Sequence, residues 1–104
     1  MADPVTLTYT SALILETISA GHHYGFQIMD ATGLPSGTVY PALRRLENAN
    51  LIASAWEDEE DAFAEQRPAR KYYRFTSRGD TALAHARRRY KPLANFASES
   101  KVRR

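Results

Sequence analysis

Residues 36–48 read SGTVYPALRRLEN, following Gly33-Leu34-Pro35. Val39, Leu43 and Leu46 recur at i, i+4 and i+7, the spacing of one apolar helix side. Opposite them lie Gly37, Pro41, Arg44 and Asn48, flanked by Thr38, Tyr40 and Arg45. A merely solvated face is normally rich in Glu, Lys and Gln. This one offers small groups, a proline ring, a hydroxyl, a phenol and two guanidiniums. Small residues permit close approach to a base edge. Thr38 can bond a base or a phosphate, Pro41 can touch a thymine methyl, and Arg44 can pair with guanine through two hydrogen bonds. The helix start around Ser36 favours an anion. The alternative is that Tyr40 and Pro41 pack beneath a neighbouring hairpin.

A second cluster, RPARKYYR over residues 67–74, interleaves bases with aromatics. It suits a ribbon on a sugar-phosphate backbone, with Arg70 and Lys71 as phosphate donors and Tyr73 and Phe75 as core. The other reading is a solvated strand protected by its charge. The net charge of +2 hides an asymmetry: residues 57–65 hold six acids, whereas residues 67–104 hold twelve bases and two acids, a balance of +10. Glu57 to Asp61 are consecutive acids that phosphates would repel. A tip carrying them is expected to point away from DNA or to lower non-specific affinity.

The ingredients of catalysis do not converge. The chain has no cysteine, so it lacks disulfides, thiolate zinc sites and thiol nucleophiles. His22 and His23 stand together while His85 is far along the chain, and no acid lies at ligand spacing from them. A sensor ion on His22 or His23 with a carboxylate of the hairpin loop is the one metal arrangement left open. There is no phosphate-cradling glycine loop and no Gly-x-Ser-x-Gly elbow. We expect no enzyme, no cofactor and no metal site.

Elements that would position these residues follow from periodicity. The 104 residues are expected to form one globular unit. A helix over Thr8–Ala20 shows Leu13, Ile14, Leu15 and Ile18 over a wide arc, predicting two buried faces. A shorter helix over Tyr24–Thr32, with Phe26, Ile28 and Met29 as its apolar side, is closed by Gly33. Ser36 is the expected N-cap of the next helix, which reaches about Ala49. Leu51–Glu57 and Arg70–Thr76 read as strands around a long charged loop, Asp58–Ala69, with a mobile tip. Thr76 or Ser77 then caps a last helix, where Leu83, Ala86, Tyr90, Leu93 and Ala97 space out a coiled-coil seam, and Pro92 should kink or end it. Residues 98–104 read as a frayed tail. The N-terminus has an acid at Asp3 and a short apolar run, so neither signal peptide nor membrane span is expected, and a cytoplasmic location is.

The fold class is therefore mainly α with a small β-hairpin: a winged helix-turn-helix over residues 1–76, its wing at about 57–70, and a dimerisation helix with its tail over 77–104. The turn at residues 33–35 puts the helix after it in the recognition position.

The run from Pro35 to Glu47 resembles the recognition-helix signature of the PadR-like transcriptional regulators. Further matching pieces are His23-Tyr24-Gly25, Leu51-Ile52, Trp56-Glu57, Arg70-Lys71-Tyr72-Tyr73, and Thr76 with Gly79. The resemblance, over residues 8 to about 84, implies a dimeric, usually repressing regulator of a palindromic operator. It carries over Tyr24, Ser36, Thr38, Tyr40, Pro41, Arg70 and Lys71 as DNA contacts, beside Arg44 and Arg45 from the helix face itself. The short C-terminal part is similar to the compact branch, in which the first and last helices form the dimer interface. Leu13, Leu83, Ala86, Tyr90, Leu93 and Ala97 are the residues expected there. The expected partners are operator DNA, a second copy and a small-molecule inducer of unknown identity, with no membrane. The competing reading is a winged-helix interaction module whose basic part meets an acidic partner or a membrane.

Overall fold

Thr8 opens the first helix of the computed structural model, which describes residues 7–93, by accepting a hydrogen bond from Ser11 N at 3.1 Å. Helix α1 (Tyr9–Ser19) buries Ala12, Ile14, Leu15 and Ile18 as well as Ser11, Glu16 and Thr17. Such burial on nearly every side answers the wide apolar arc, because α1 is the axis on which three of the other helices pack. Helix α2 (Gly25–Thr32) ends at Gly33, whose φ of 74° gives the left-handed closure. Ile28 is its buried anchor and Met29 packs partly against the core. Phe26 departs from expectation: it is 70% exposed, about 200° round the helix from the buried Ile28.

Helix α3 (Ser36–Asn48) buries Val39, Ala42, Leu43 and Leu46. Its N-cap is Pro35 rather than Ser36. Pro35 is extended, with φ −75° and ψ 161°, and its carbonyl accepts from Thr38 N and Val39 N, both at 3.0 Å. The proline ring presets the entry to the helix, so Ser36 becomes the first helical residue. Strands β1 (Ile52–Trp56) and β2 (Lys71–Phe75) form an antiparallel pair in which Ile52 faces Phe75, Ser54 faces Tyr73 and Trp56 faces Lys71.

The segment joining them is more ordered than a loop. Helix α4 (Glu59–Ala64) lies within it, capped by Asp58, whose Oδ1 accepts from Glu60 N at 2.7 Å. Glu59, Glu60 and Asp61 fill its first turn, where the helix dipole favours negative charge, and Ala62 is buried. The acids that read as part of a charged loop are thus a helix start.

Helix α5 (Ser77–Arg89) is capped by Thr76, which accepts from Gly79 N at 3.0 Å and donates to Asn50 O at 2.6 Å. The regular helix stops short of Pro92, which removes a backbone donor and disfavours helix in the residue before it. Ala82, Leu83, Ala86 and Leu93 belong to the same core as Ile14, Ile28, Leu43 and Ile52. One core therefore runs through both segments of the expected 76/77 division. Leu83, Ala86 and Leu93, expected to face a second copy, are 4%, 2% and 0% exposed within the single chain. Their spacing records a fit to α1 and its neighbours. Of the other expected interface residues, Leu13 and Tyr90 are half-buried, and Ala97 lies outside the described residues.

Two polar links tie α5 to α1. The fully buried Glu16 carboxylate takes two hydrogen bonds from Arg87, one from Nε at 2.8 Å, and that bonding raises the guanidinium pKa further. Tyr90 donates to Leu7 O at 2.9 Å and meets the Tyr9 ring edge-on at 5.3 Å.

Candidate nucleic-acid interface

The backbone before α2 joins the sheet. Tyr24 bridges Tyr72 in antiparallel fashion, and Tyr73 N donates to His23 O at 2.7 Å. This attachment fixes Tyr24 beside the wing. Its ring meets Tyr72 edge-on at 5.5 Å, and the Arg70 guanidinium lies 4.1 Å from its centroid. Next to it, Gly25 lets α2 and α3 close up: a Cβ there would stand 2.5 Å from the Tyr40 ring. Tyr40 rests against this glycine and keeps 44% of its surface exposed. It is braced by α2 but not covered by the hairpin.

On α3, Ser36, Gly37, Arg44 and Arg45 are exposed, while Thr38 and Pro41 are half-buried. No side chain caps the helix. With Pro35 O bonded to the amides of residues 38 and 39, the Ser36 and Gly37 amides at an open helix start are available to an anion. Arg44 and Arg45 form no ion pair with another described residue.

Lys71 is already engaged. Its Nζ lies 3.5 Å from Glu47 Oε1 and 5.9 Å from the ring centres of Trp56 and Tyr73. Glu47 also accepts from the Ser54 hydroxyl, so one carboxylate links α3 to both strands. Burial, ahead of the nearby Glu47 charge, pushes the Tyr73 phenol pKa up. A phosphate meeting Lys71 must share it with Glu47.

Several features were not read from the sequence. Glu57 and Arg67 clasp each other across the base of the wing through two hydrogen bonds, one of them Nη2 to Oε2 at 2.7 Å. The Arg67 hydrogen bonds, against some desolvation and helped by Arg70 N at 3.2 Å, bring the Glu57 carboxyl from its ordinary 4.5 to about 2. The partner guanidinium is raised in turn. This clamp separates the acidic helix α4 at the tip from Arg70 and Lys71 at the root. The signal was a carboxylate and a guanidinium ten positions apart around a hairpin, hidden because Glu57 heads a run of acids. Trp56 and Phe26, apolar residues of a strand and a helix, are 69% and 70% exposed.

Tyr24, Tyr40, Arg44, Arg70 and Lys71 line a groove of about 740 Å³ between α2, α3 and the hairpin, with Phe26 and Trp56 also at its walls. Ser36, Thr38, Pro41 and Arg45 lie along α3 outside it. The described residues contain no group of three or more His, Asp or Glu side chains able to hold a metal, and no helix long and apolar enough to cross a membrane.

A family model described as the PadR-like family of transcriptional regulators matches residues 14–85. The chain belongs to the PadR-like family. Membership makes this PadR-like protein a DNA-binding transcriptional regulator of winged-helix fold, in a family of regulators rather than enzymes. A PadR family transcription regulator from Clostridium difficile R20291 is 27% identical, with a TM-score of 0.70, over 88% of this chain and 97% of its own. The Streptococcus mutans UA159 protein smu.1704 is likewise 27% identical, with a TM-score of 0.66, over 100% of this chain and 99% of its own. A PadR-like transcription factor from Bacteroides fragilis is 26% identical, with a TM-score of 0.58, over 86% and 90%. A comparison with curated protein sequences finds no match.

Proposed function

We propose that this PadR-like regulator is a repressor that binds a palindromic operator as a homodimer, with α3 in the major groove. The observation carrying this reading is the open start and outer face of α3, with exposed Ser36, Gly37, Arg44 and Arg45 and no side-chain cap, set beside the Arg70–Tyr24 stack. Ser36 and the first-turn amides take a phosphate. Thr38, Tyr40, Pro41 and Arg44 meet base edges, Arg45 takes the backbone at the helix flank, and Arg70 and Lys71 hold the neighbouring strand. The acidic tip, kept apart by the Glu57–Arg67 clamp, faces away from DNA and weakens indiscriminate binding.

A second copy meets the chain around Leu13, Tyr9 and Tyr90, which keep accessible surface where α1 and the end of α5 come together. Two recognition helices then enter successive major grooves about 34 Å apart. Repression follows from covering a promoter, and a small ligand relieves it.

Selection of duplexes from a random pool at physiological salt tests this. The expected result is an inverted repeat with half-sites about one turn apart, preferred over scrambled DNA by a thousandfold or more, from a protein that sediments as a dimer. Binding that is weak, salt-dependent and indifferent to sequence would refute it and favour a winged-helix module for an acidic partner or an anionic surface.

A further inference from the structure

Two arginines meet the Glu57 carboxylate at the root of the wing, and it holds the guanidinium of only one. Arg67 donates to both Glu57 oxygens, with Nη2 at 2.7 Å from Oε2, and 22% of its side chain is exposed. Arg70 is gripped by its main chain instead. Trp56 faces Lys71 at the end of the strand pair, so Glu57 stands opposite Arg70 one step beyond it. Glu57 N donates to Arg70 O at 2.7 Å, and Arg70 N donates back to Glu57 Oε1 at 3.2 Å. A facing antiparallel pair of this kind normally exchanges two backbone bonds, and here the carboxylate supplies the second acceptor. Facing positions are also those from which opposite charges pair across a sheet. The Glu57 carboxyl, lowered chiefly by its bonds to Arg67, is lowered further by the Arg70 charge, so the attraction is present. Yet the Arg70 guanidinium forms no ion pair with any described residue and lies 4.1 Å from the Tyr24 ring centre. Arg67 already fills both oxygens with its planar fork.

We infer that Arg67 is a positioning residue for DNA binding: by occupying Glu57 it keeps the Arg70 guanidinium on Tyr24, free to take a phosphate. The role in binding rests on the function proposed above. Arg67 itself turns inward, to Glu57 and to Pro68 O at 3.3 Å, and meets no DNA. Without it, Glu57 draws Arg70 off the Tyr24 ring into a cross-strand pair, and one phosphate contact is lost although Arg70 is still present. Removing the Glu57 charge as well releases Arg70 again. A glutamine at position 57 suits this purpose, because its carbonyl oxygen can still accept from Arg70 N while its side chain attracts no cation.

The test is the affinity of the full chain for its selected operator across a range of salt. Arg67→Ala and Arg70→Ala should each lower the slope of log K against log salt by about 1, and the two together by no more than either alone. Glu57→Gln added to Arg67→Ala should bring the slope back to that of the unaltered protein. A second readout needs no DNA. Side-chain protons of Arg70 lie over the Tyr24 face, whose ring current shifts their NMR signals. That shift should vanish in Arg67→Ala and return when Glu57→Gln is added. An unaltered slope in Arg67→Ala, or one that Glu57→Gln fails to restore, would overturn the proposal. So would additive losses in the variant lacking both arginines, which would mean that Arg67 touches DNA on its own account. A selected operator together with an Arg70 shift indifferent to Arg67→Ala overturns the positioning and leaves the DNA reading standing. The stated NMR behaviour in a protein that selects no duplex refutes the DNA reading, and with it the role in binding, while the placement of Arg70 by Arg67 stands.

Discussion

Replacing Arg87 with Ala tests the link between α5 and the helix at the centre of the fold. Glu16 has no exposed surface and takes two hydrogen bonds from Arg87, whose own side chain is 45% exposed. Removing one partner of a fully buried pair costs about 3–5 kcal/mol, because the other charge is left uncompensated. A fully exposed pair is worth about 0–1 kcal/mol. With the acid enclosed and the base half in water, the expected loss for Arg87→Ala is about 2 kcal/mol, between those limits. At about 4–8 °C per kcal/mol for a chain of this size, the melting temperature should fall by about 10 °C. That is a large part of a stability of about 5–15 kcal/mol, but not all of it. The signature is rescue. Glu16→Met combined with Arg87→Ala removes the stranded charge and fills its space with an apolar side chain, so the double variant should be more stable than Arg87→Ala alone. Calorimetric or circular-dichroism melting of the three proteins decides it. A loss below about 0.5 kcal/mol for Arg87→Ala, the size of an ordinary surface change, would refute the reasoning. So would a double variant that is less stable than the single one.

Gly25→Ala should change stability by less than about 1 kcal/mol, since the atoms it strikes are the free end of the Tyr40 ring, yet by displacing that ring it should weaken operator binding about fivefold; unchanged affinity in a gel-shift titration would remove Tyr40 from the interface. Arg44→Ala should cost about 1–3 kcal/mol at one base position of the operator, and a uniform loss over all sequences would make Arg44 a phosphate contact instead. Lys71→Ala should reduce affinity evenly and lower the slope of log K against log salt by about 1, whereas an unaltered slope would mean that Glu47 keeps Lys71 from DNA. Because the Glu57 carboxyl is depressed in the folded chain, the wing clamp contributes fully above the ordinary value of 4.5 and is lost only as pH falls towards about 2. Carbon-13 NMR of the Glu57 carboxyl should find its midpoint near 2, and a midpoint near 4.5 would mean that the clamp is open in solution.

Local pattern was enough to mark every described element except α4, together with the core side of α3 and the outer face that offers Arg44 and Arg45. Repeats at 3.6 and at 2 residues, with Gly33, Pro35 and Thr76 at the boundaries, reflect choices made within a few residues of backbone. The family was legible for the same reason, since its recognition run lies on one continuous helix. Local pattern says less where two segments have to meet. Leu83, Ala86 and Leu93 read as a seam for a second copy because helical spacing shows that a face is buried but not what buries it. Glu57 read as one of many acids because its partner Arg67 becomes a neighbour only when the hairpin closes. Glu16 gave no sign that a charge at the centre of the fold would be matched by Arg87, seventy-one positions away. Phe26 and Trp56 read as ordinary apolar residues, and their exposure at the rim of one groove is a property of how α2, α3 and the wing assemble. Burial and charge pairing depend on distances between remote parts of the chain. The sequence thus determined the strands, the helices apart from α4 and the family of this regulator, while tertiary packing decided which charges are neutralised and which apolar face is already covered.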